Sequence, residues 1–418
     1  MTAGTTDHTD ALTGVRAYAA LSVVAFHAWL NAGSPAIRVG TGAFSIDLSR
    51  FVAYGWIGVD IFFVLSGYLL TRVAIGRLAR AGAPAGRGFV ARFGESWWSF
   101  LRRRILRVYP AYYACLTVLL ALAATGIYLR VPENLDMFMH LFMVHNFIER
   151  YIVTINGVFW TLPFEFHFYL AFPLLFVAMR RLGPLALYAC AVAVVLATKT
   201  IVLATNDGYP QVLLFIRIDA FCAGMAAGAA TYHRPISRSR ATLAFAASLA
   251  GLLAIPFAFA EQRGVTHYYD LLGFVRPFWI QASICLLLVA ITGSRTRGVA
   301  LFDNRIVVWL GLVSYSIYLW HVPLLELLPT LGLGAGDAPA SAPRYARVLL
   351  HLLPVLIAAS ALSYYAIERP FQTAGRRRPA PPGGSRIGLR FAPIPVLAAW
   401  AVALMLATLA ANAGMLAR

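Results

Sequence analysis

Long apolar segments alternate with short polar ones along nearly the whole of this chain. A helix needs about 20 apolar residues to cross the hydrocarbon core of a bilayer, and eleven segments come close to that length. The predicted spans are 15–32, 51–71, 108–129, 160–179, 184–204, 211–232, 241–260, 275–293, 306–328, 348–367 and 392–413. The pattern therefore predicts an all-α fold, a polytopic transmembrane helical bundle.

One further apolar stretch, residues 135–148, is too short to cross a bilayer comfortably. We interpret it as a re-entrant or interfacial helix on the external side, and its sequence does not distinguish the two. If it did cross the membrane, every later loop would change sides and the bias of basic residues would be reversed.

The composition supports a membrane protein and argues against nucleic-acid binding. The chain is 60% hydrophobic, and only 12% of its residues are charged, whereas about a quarter are charged in a typical soluble domain. The net charge is +18, but the basic residues lie between apolar segments and are not gathered on a soluble domain. We therefore expect the lipid bilayer, and no nucleic acid, as a partner.

Basic residues also predict the orientation of the chain in the membrane. They are concentrated in alternate loops, above all in residues 72–107 and 368–390. Loops that are rich in arginine and lysine tend to stay in the cytoplasm. No cleavable signal sequence precedes the first span. We therefore expect a multi-pass protein of the plasma (cytoplasmic) membrane with a cytoplasmic N-terminus and an extracytoplasmic C-terminus.

A change of composition near the end of the chain predicts the domain organisation. Residues 372–391 are rich in proline, glycine and arginine and form a predicted cytoplasmic linker. It separates a ten-helix membrane domain, residues 1–371, from an eleventh helix in residues 392–418. That last helix has no ionisable residue between Pro393 and Ala417, so we interpret it as an accessory span.

The first span carries two ionisable residues, Arg16 and His27. On a helix they lie about 16 Å apart along the axis, with the cation near one membrane face and the imidazole in the outer half. Ionisable side chains inside a membrane are costly and persist mainly where they face the protein interior or water. The alternative is that Arg16 anchors a helix end and His27 is a packed polar residue.

Other polar residues recur inside or beside later spans. The second span reads GVDIFFVLSGYLL, with Asp60 and Ser66, and the fourth begins WTLPFEFHFYL, with Glu165 about one turn inside the external face. The ninth contains SYSIYLWHVP, and the tenth ends in ERPF. The polar residues of the ninth span are Ser314, Tyr315 and His321. A lone aspartate in a membrane helix needs a cationic or hydrogen-bonding partner.

Four arginines precede the third span in the motif SFLRRRILRVYP, and they are Arg102, Arg103, Arg104 and Arg107. They could simply orient that helix, or they could hold phosphate groups, since guanidinium groups bind phosphates through two parallel hydrogen bonds. No grouping of histidine, cysteine and carboxylate residues indicates a metal site.

Together these motifs, in this order and spacing, resemble the acyltransferase-3 family of membrane O-acyltransferases from about residue 11 to residue 371. The resemblance implies transfer of an acyl group, usually acetyl, from cytoplasmic acyl-CoA to a hydroxyl of an extracytoplasmic carbohydrate or glycosylated molecule. Many members carry a fused SGNH-type domain, and this chain resembles a stand-alone form. We expect no bound cofactor, with acyl-CoA, in particular acetyl-CoA, as the donor substrate.

Acyl transfer to an alcohol needs a base for the hydroxyl proton and a site for the donor. We predict that His27 is the general base or, alternatively, a transient acyl carrier. Glu165 is favoured over Asp60 as the residue that orients His27, and Asp60 could instead pair with an intramembrane arginine. The CoA phosphates are expected to bind to Arg16 and to the four arginines of the third span.

Each of the other polar residues allows two interpretations. Ser66, Ser314 and Tyr315 could donate hydrogen bonds to the thioester carbonyl or could close contacts between helices, which is the commoner use of small polar residues in membranes. His321 could support the reaction or could be a packing residue.

A transporter or flippase of acylated glycans or small molecules is the main alternative function. Charges near the midplane and helices interrupted by glycine and proline are typical of transporters. Against it, no internal repeat is visible, and the polar residues divide into a cytoplasmic arginine cluster and an external histidine–glutamate pair. A structural or regulatory subunit with a decayed site is a third possibility, which the intact motifs disfavour.

Overall fold

The computed structural model of this chain describes residues 7–40, 45–80, 88–128, 131–205, 216–232, 236–258, 271–294, 297–333, 339–376 and 393–416. These ranges are almost entirely helical and include one short antiparallel pairing of strands β1 (Arg38–Val39) and β2 (Ile46–Asp47). The helices pack around a large apolar core formed by residues from most of them. The predicted all-α membrane bundle is therefore confirmed.

Sixteen α-helices account for most of the described chain. They are α1 (Asp7–Asn31), α2 (Ser49–Ala53), α3 (Ile57–Arg80), α4 (Gly88–Ala124), α5 (Asn134–Leu141), α6 (Leu162–Leu182), α7 (Pro184–Thr205), α8 (Ile218–Tyr232), α9 (Arg238–Ala258), α10 (Leu271–Gly293), α11 (Ala300–Asp303), α12 (Arg305–Leu312), α13 (Ser314–Leu327), α14 (Ala342–Ser363), α15 (Arg369–Arg376) and α16 (Pro393–Leu416). A π-helix, Tyr364–Glu368, joins α14 to α15.

Every predicted span overlaps one of these helices. Within the described ranges, nine helices are long and apolar enough to cross a membrane, and a tenth is added if α12 and α13 form one bent span. The described part of α8 has 15 residues, which is short for a complete crossing. The total of eleven spans and their orientation therefore remain predictions.

The apolar run at 306–328 is not the single straight span that its composition predicts. The chain bends by 68° between α12 and α13. Gly311 brings α12 against α1 so closely that a Cβ atom at this position would lie 1.9 Å from the carbonyl oxygen of Thr13. Hydropathy gives no signal for the bend or for this long-range contact.

Two further span boundaries differ from the predicted ones. The segment 51–71 is divided between short α2 and long α3, and α3 continues to Arg80. The third span belongs to α4, which begins at Gly88, so its arginine cluster lies inside the helix and not before it. An apolar run marks only the part of a helix that lies in lipid, whereas charged residues can continue the same helix beyond it.

The segment 135–148 forms the eight-residue helix α5 followed by 3-10 turns, and it is too short to span. The connection that follows it reaches the bundle interior, where fully buried Asn156 donates through Nδ2 to the carbonyl oxygen of Leu319 at 3.0 Å. Pro323 lacks the N–H group that would otherwise bind this oxygen. Asn156 therefore satisfies a carbonyl that a proline leaves free.

The last helix, α16, packs on α4 and on the segment before α5. Trp400 donates to Thr117 Oγ1 at 2.9 Å, and Asn412 donates to the carbonyl oxygen of Pro132 at 3.0 Å. Residues 372–376 of the predicted linker belong to α15, and the remainder of the linker lies outside the described residues. The division of the chain into a ten-helix domain and an accessory helix remains a prediction.

Candidate functional site

Helix α1 carries both ionisable residues of the first span and packs against α3, α12 and α13. Near its N-terminal half, Arg16 is close enough to interact electrostatically with Arg104 and Arg107 of α4 and with Glu165 and Tyr169 of α6. Three cations inside the bundle repel one another unless carboxylates or a ligand neutralise them. The predicted donor-binding arginines Arg16, Arg104 and Arg107 are therefore brought together.

Two carboxylates accompany these cations. Glu165 Oε1 accepts hydrogen bonds from Ser66 Oγ at 3.2 Å and from the hydroxyl of Tyr169. Buried Glu368 accepts from Ser316 Oγ at 2.5 Å and interacts electrostatically with Arg107 and Arg16. We call this set the arginine layer, and its members are Arg16, Arg104, Arg107, Glu165 and Glu368.

Some guanidinium nitrogens of this region are buried without a hydrogen-bond partner among the described residues. They are Nε of Arg16, Nε of Arg104 and Nη2 of Arg103. An unsatisfied buried donor costs about 1–3 kcal/mol, and more when it is charged. Three cations against two carboxylates leave a net positive charge, so the arginine layer suits a ligand with several anionic oxygens.

A second polar contact lies eleven residues further along α1. His27 Nδ1 is 3.1 Å from His321 Nε2, and the two ring centroids are 5.0 Å apart. His321 is fully buried, and its Nδ1 lies 2.7 Å from the carbonyl oxygen of Tyr318. We call His27 and His321 the histidine pair. Among the side chains, the imidazole of histidine has the unperturbed pKa closest to neutral pH, which suits it to general acid–base chemistry.

Glu165 does not lie where its sequence position suggested. The expectation was a carboxylate beside His27, but the contacts of Glu165 place it in the arginine layer, and the described residues show no hydrogen bond between the two. The chain before α6 enters the bundle, where Thr161 Oγ1 and the hydroxyl of Tyr318 lie 2.7 Å apart. Helix α6 therefore starts inside the bundle.

Asp60 forms an ion pair with Arg217 of the segment before α8, with Nη1 and Oδ1 3.0 Å apart. Arg276 and Lys199 also interact with it electrostatically. This arrangement matches the alternative in which Asp60 pairs with an intramembrane arginine. Among the described residues Asp60 has no hydrogen bond to His27, so the structure does not bring it to the histidine pair.

The remaining candidates fall into two groups. Ser66 reaches Glu165, and Tyr315 donates to the carbonyl oxygen of Val108 at 3.0 Å, so both border the arginine layer. Ser314 donates to the carbonyl oxygen of Gly311 at 2.8 Å within its own chain segment, at the bend before α13. Ser314 therefore closes a local turn and contacts no other candidate residue through this bond.

Arg102 and Arg103 precede Arg104 in α4 and lie on the side of its N-terminal part, next to the arginine layer. Arg103 interacts electrostatically with Arg77 of α3 and with its neighbours Arg102 and Arg104. These arginines thus extend the positive charge from the arginine layer toward the predicted cytoplasmic face.

Sequence reasoning assigned no role to Glu368, a member of the arginine layer, or to Ser316 and Tyr169, which donate hydrogen bonds to its two carboxylates. Glu368 belongs to the ERPF motif, and an acidic residue at the end of an apolar span was the available signal. Ser316 and Tyr169 are a serine and a tyrosine among many others in apolar helices, and nothing in the sequence distinguishes them.

The ion pair of Asp60 gives a test of its role. Removing one member of a buried ion pair costs about 3–5 kcal/mol because the other charge is left unpaired. We expect Asp60→Ala to lower the amount of folded protein in membranes, and Asp60→Ala with Arg217→Ala to restore part of it. Detergent-solubilised, fluorescently tagged protein can be measured by size-exclusion chromatography. Normal abundance with lost activity for Asp60→Ala would favour a catalytic role instead.

Comparisons with known proteins agree with the motif resemblance. Residues 9–368 match the model of a family described as an acyltransferase domain. A protein of Bacillus subtilis (strain 168), named as a candidate peptidoglycan O-acetyltransferase, YrhL, is 27% identical over 398 residues, which cover 88% of this chain and 55% of the relative. Acyltransferase MdmB of Streptomyces mycarofaciens is 25% identical over 401 residues, which cover 88% of this chain and 93% of the relative.

A candidate O-acetyltransferase of Staphylococcus aureus (strain COL) is 23% identical over 391 residues, which cover 87% of this chain and 57% of the relative. The chain thus spans a little over half the length of the Bacillus and Staphylococcus relatives. No solved structure matches it.

Proposed function

This chain belongs to the acyltransferase-3 family of membrane proteins, and from that premise we propose that it moves an acyl group from cytoplasmic acyl-CoA to a hydroxyl of an extracytoplasmic carbohydrate or glycosylated molecule. The coarser function, O-acyl transfer, follows from the family and from the names of its relatives. The donor, the acceptor and the two sides of the membrane are the proposed part.

The proposal rests on one observation. Helix α1 contributes a cation to the arginine layer in its N-terminal half and an imidazole to the histidine pair further along. The arginine layer offers buried, unsatisfied guanidinium groups, and the histidine pair lies about 16 Å further along the same helix. Acyl-CoA is arranged in a corresponding way. Its anionic phosphates lie at one end and its thioester at the other, and a long pantetheine arm joins them. Phosphates held at Arg16 and Arg104 would let that arm extend toward His27.

Each residue then has a defined chemical task. His27 takes the proton of the acceptor hydroxyl as its oxygen attacks the thioester carbonyl carbon. The C–S bond breaks, and the CoA thiolate leaves and takes up a proton. His27 could instead attack first and carry the acyl group as an acyl-imidazole, which the acceptor hydroxyl then cleaves. In both routes the arginine layer binds the donor, and no resident cofactor is needed.

Acetyl is the acyl group that we propose, and a cell-envelope carbohydrate is the proposed acceptor. The relative from Bacillus subtilis is named for peptidoglycan O-acetylation, which supports both choices. The protein would act in the plasma membrane, with its donor supplied from the cytoplasm.

The direct test compares cell-envelope glycans and glycolipids from cells with and without this protein by mass spectrometry. We expect products heavier by one acetyl or larger acyl group only when the protein is present. Purified protein in liposomes should also transfer label from radiolabelled acetyl-CoA to an envelope extract. Transport of an already acylated glycan without label transfer from acetyl-CoA would support the transporter alternative and overturn the proposal.

The orientation can be tested by thiol labelling. Ala83→Cys, in a predicted cytoplasmic loop, should be protected from a membrane-impermeant thiol reagent in intact cells. Ala338→Cys, in a predicted external loop, should react, and the unmodified chain serves as the control for its native cysteines. The opposite pattern would mean that the predicted number of spans before these loops is wrong by one.

Glu165→Gln keeps the shape of the side chain but removes the negative charge that faces Arg16. Because Glu165 lies in the arginine layer and shows no hydrogen bond to His27 among the described residues, we expect the change to alter the donor KM and to leave turnover at saturating acyl-CoA close to that of the parent. Initial rates at several donor concentrations, at matched membrane abundance, measure this. Ser239→Ala at an exposed position of α9 is a matched control. A loss of turnover that saturating acyl-CoA does not restore would instead assign Glu165 to the chemical step.

A further inference from the structure

The hydrogen bonds of the histidine pair determine which nitrogen of His27 can act as the base. His321 Nδ1 lies 2.7 Å from the carbonyl oxygen of Tyr318. A carbonyl oxygen only accepts hydrogen bonds, so His321 Nδ1 must carry a hydrogen. A neutral imidazole has a single N–H group, and fully buried His321 has no carboxylate among its hydrogen-bond partners in the described part of the chain. His321 Nε2 is therefore an acceptor.

The same reasoning extends to His27. Its Nδ1 lies 3.1 Å from His321 Nε2 and 3.1 Å from the carbonyl oxygen of Val23. Both neighbours accept, so the hydrogen of neutral His27 resides on Nδ1. If the hydrogen were on Nε2 instead, the lone pair of His27 Nδ1 would face the lone pairs of His321 Nε2 and of the Val23 carbonyl oxygen, with no hydrogen between them. The lone pair of His27 is consequently on Nε2, for which the described residues show no hydrogen-bond partner.

We infer that His321 is a positioning residue that holds His27 in the Nδ1–H tautomer and so presents Nε2 as the base for the acceptor hydroxyl. This inference rests on the proposed function for its catalytic consequence, but the tautomer itself does not depend on it. When His27 Nε2 takes a proton, the Nδ1–H bond to His321 becomes charge-assisted and stronger. A neutral imidazole thus takes the orienting role that a carboxylate has in serine hydrolases.

The surrounding structure explains why His321 can hold this position. The bend between α12 and α13 directs α13 across α1. The hydroxyl of Tyr318 is 2.7 Å from Thr161 Oγ1 and donates to the carbonyl oxygen of Val158 at 3.1 Å. With the bond from Asn156 to Leu319, these contacts fix the helical turn that ends at His321.

Two variants separate a positioning role from a packing role. His321→Gln keeps a hydrogen-bond acceptor at about the reach of Nε2, whereas His321→Leu keeps much of the volume but has no acceptor. We expect His321→Leu to lower turnover about 100-fold or more with an unchanged donor KM, and His321→Gln to stay within about tenfold of the parent. Rates are divided by the amount of folded protein, so that a smaller amount of folded protein caused by poorer packing does not lower the measured turnover.

A second measurement determines the tautomer of His27 independently of acyl transfer. Protein with ¹⁵N-labelled histidine in nanodiscs is studied by NMR, and the His27 signals are those that His27→Ala removes. We expect the Nδ1–H tautomer in the parent and in His321→Gln, and a partial shift toward Nε2–H in His321→Leu, where only the Val23 carbonyl oxygen still accepts from Nδ1. An Nε2–H tautomer in the parent, or the same tautomer and turnover in all three proteins, would overturn the inference. Absence of acyl transfer by the parent would overturn the proposed function, and the NMR result would still decide the tautomer.

Discussion

His27→Ala is expected to abolish acyl transfer while the protein remains folded in the membrane. A general base contributes about 10²–10⁴-fold to a reaction rate, and if His27 carries the acyl group covalently the loss is larger. His27 is only partly buried, and its side-chain bonds are made to His321 and to the helix backbone. Alanine at this position therefore costs little stability. Transfer of label from radiolabelled acetyl-CoA, at matched membrane abundance, measures the effect.

His351→Ala is the matched control for this experiment. His351 lies on α14, is partly buried and, within the described ranges, makes one hydrogen bond, between its Nδ1 and the carbonyl oxygen of Leu333. It belongs to neither the arginine layer nor the histidine pair. We expect this variant to keep the activity of the parent. Full activity of a correctly folded His27→Ala protein would contradict the assignment of the base.

Arg104→Ala is expected to weaken use of the donor by raising its KM. A hydrogen bond to a charged group contributes about 1.5–3 kcal/mol, which corresponds to a KM raised roughly 10–100-fold. Because a phosphate contact stabilises the ground state and the transition state alike, kcat should change little. Steady-state rates measured over a wide range of acyl-CoA concentrations in membranes separate the two parameters, and high donor concentration should restore much of the rate.

Arg238→Ala controls for the general loss of a positive charge on the predicted cytoplasmic side, since Arg238 is exposed at the start of α9. Its donor KM should equal that of the parent. Arg104 also lies over the rings of Phe100 and Tyr169, at 5.5 and 5.6 Å, so Arg104→Lys tests whether charge alone suffices. A defect of Arg104→Ala that appears only in the maximal rate would contradict a role in donor binding.

Local sequence patterns were sufficient to predict an all-α bundle of membrane-spanning helices. The length of an apolar run reports directly whether a helix can cross the bilayer, so every predicted span overlaps a helix. The same patterns identified Arg16, His27 and Glu165, because an ionisable residue in an apolar segment is conspicuous without any knowledge of the fold. Hydropathy also excluded 135–148 as a span by its length alone.

Only the tertiary structure decided which of these residues meet. His27 and His321 are 294 positions apart in the chain, and their contact depends on the 68° bend before α13, for which hydropathy has no signal. Glu165 joins Arg16 because the connection before α6 folds into the bundle, and Asp60 pairs with Arg217 through the packing of α3 against α8. The apolar pattern determines how each helix lies in the bilayer, but rotation, bending and contacts follow from side-chain packing between distant segments.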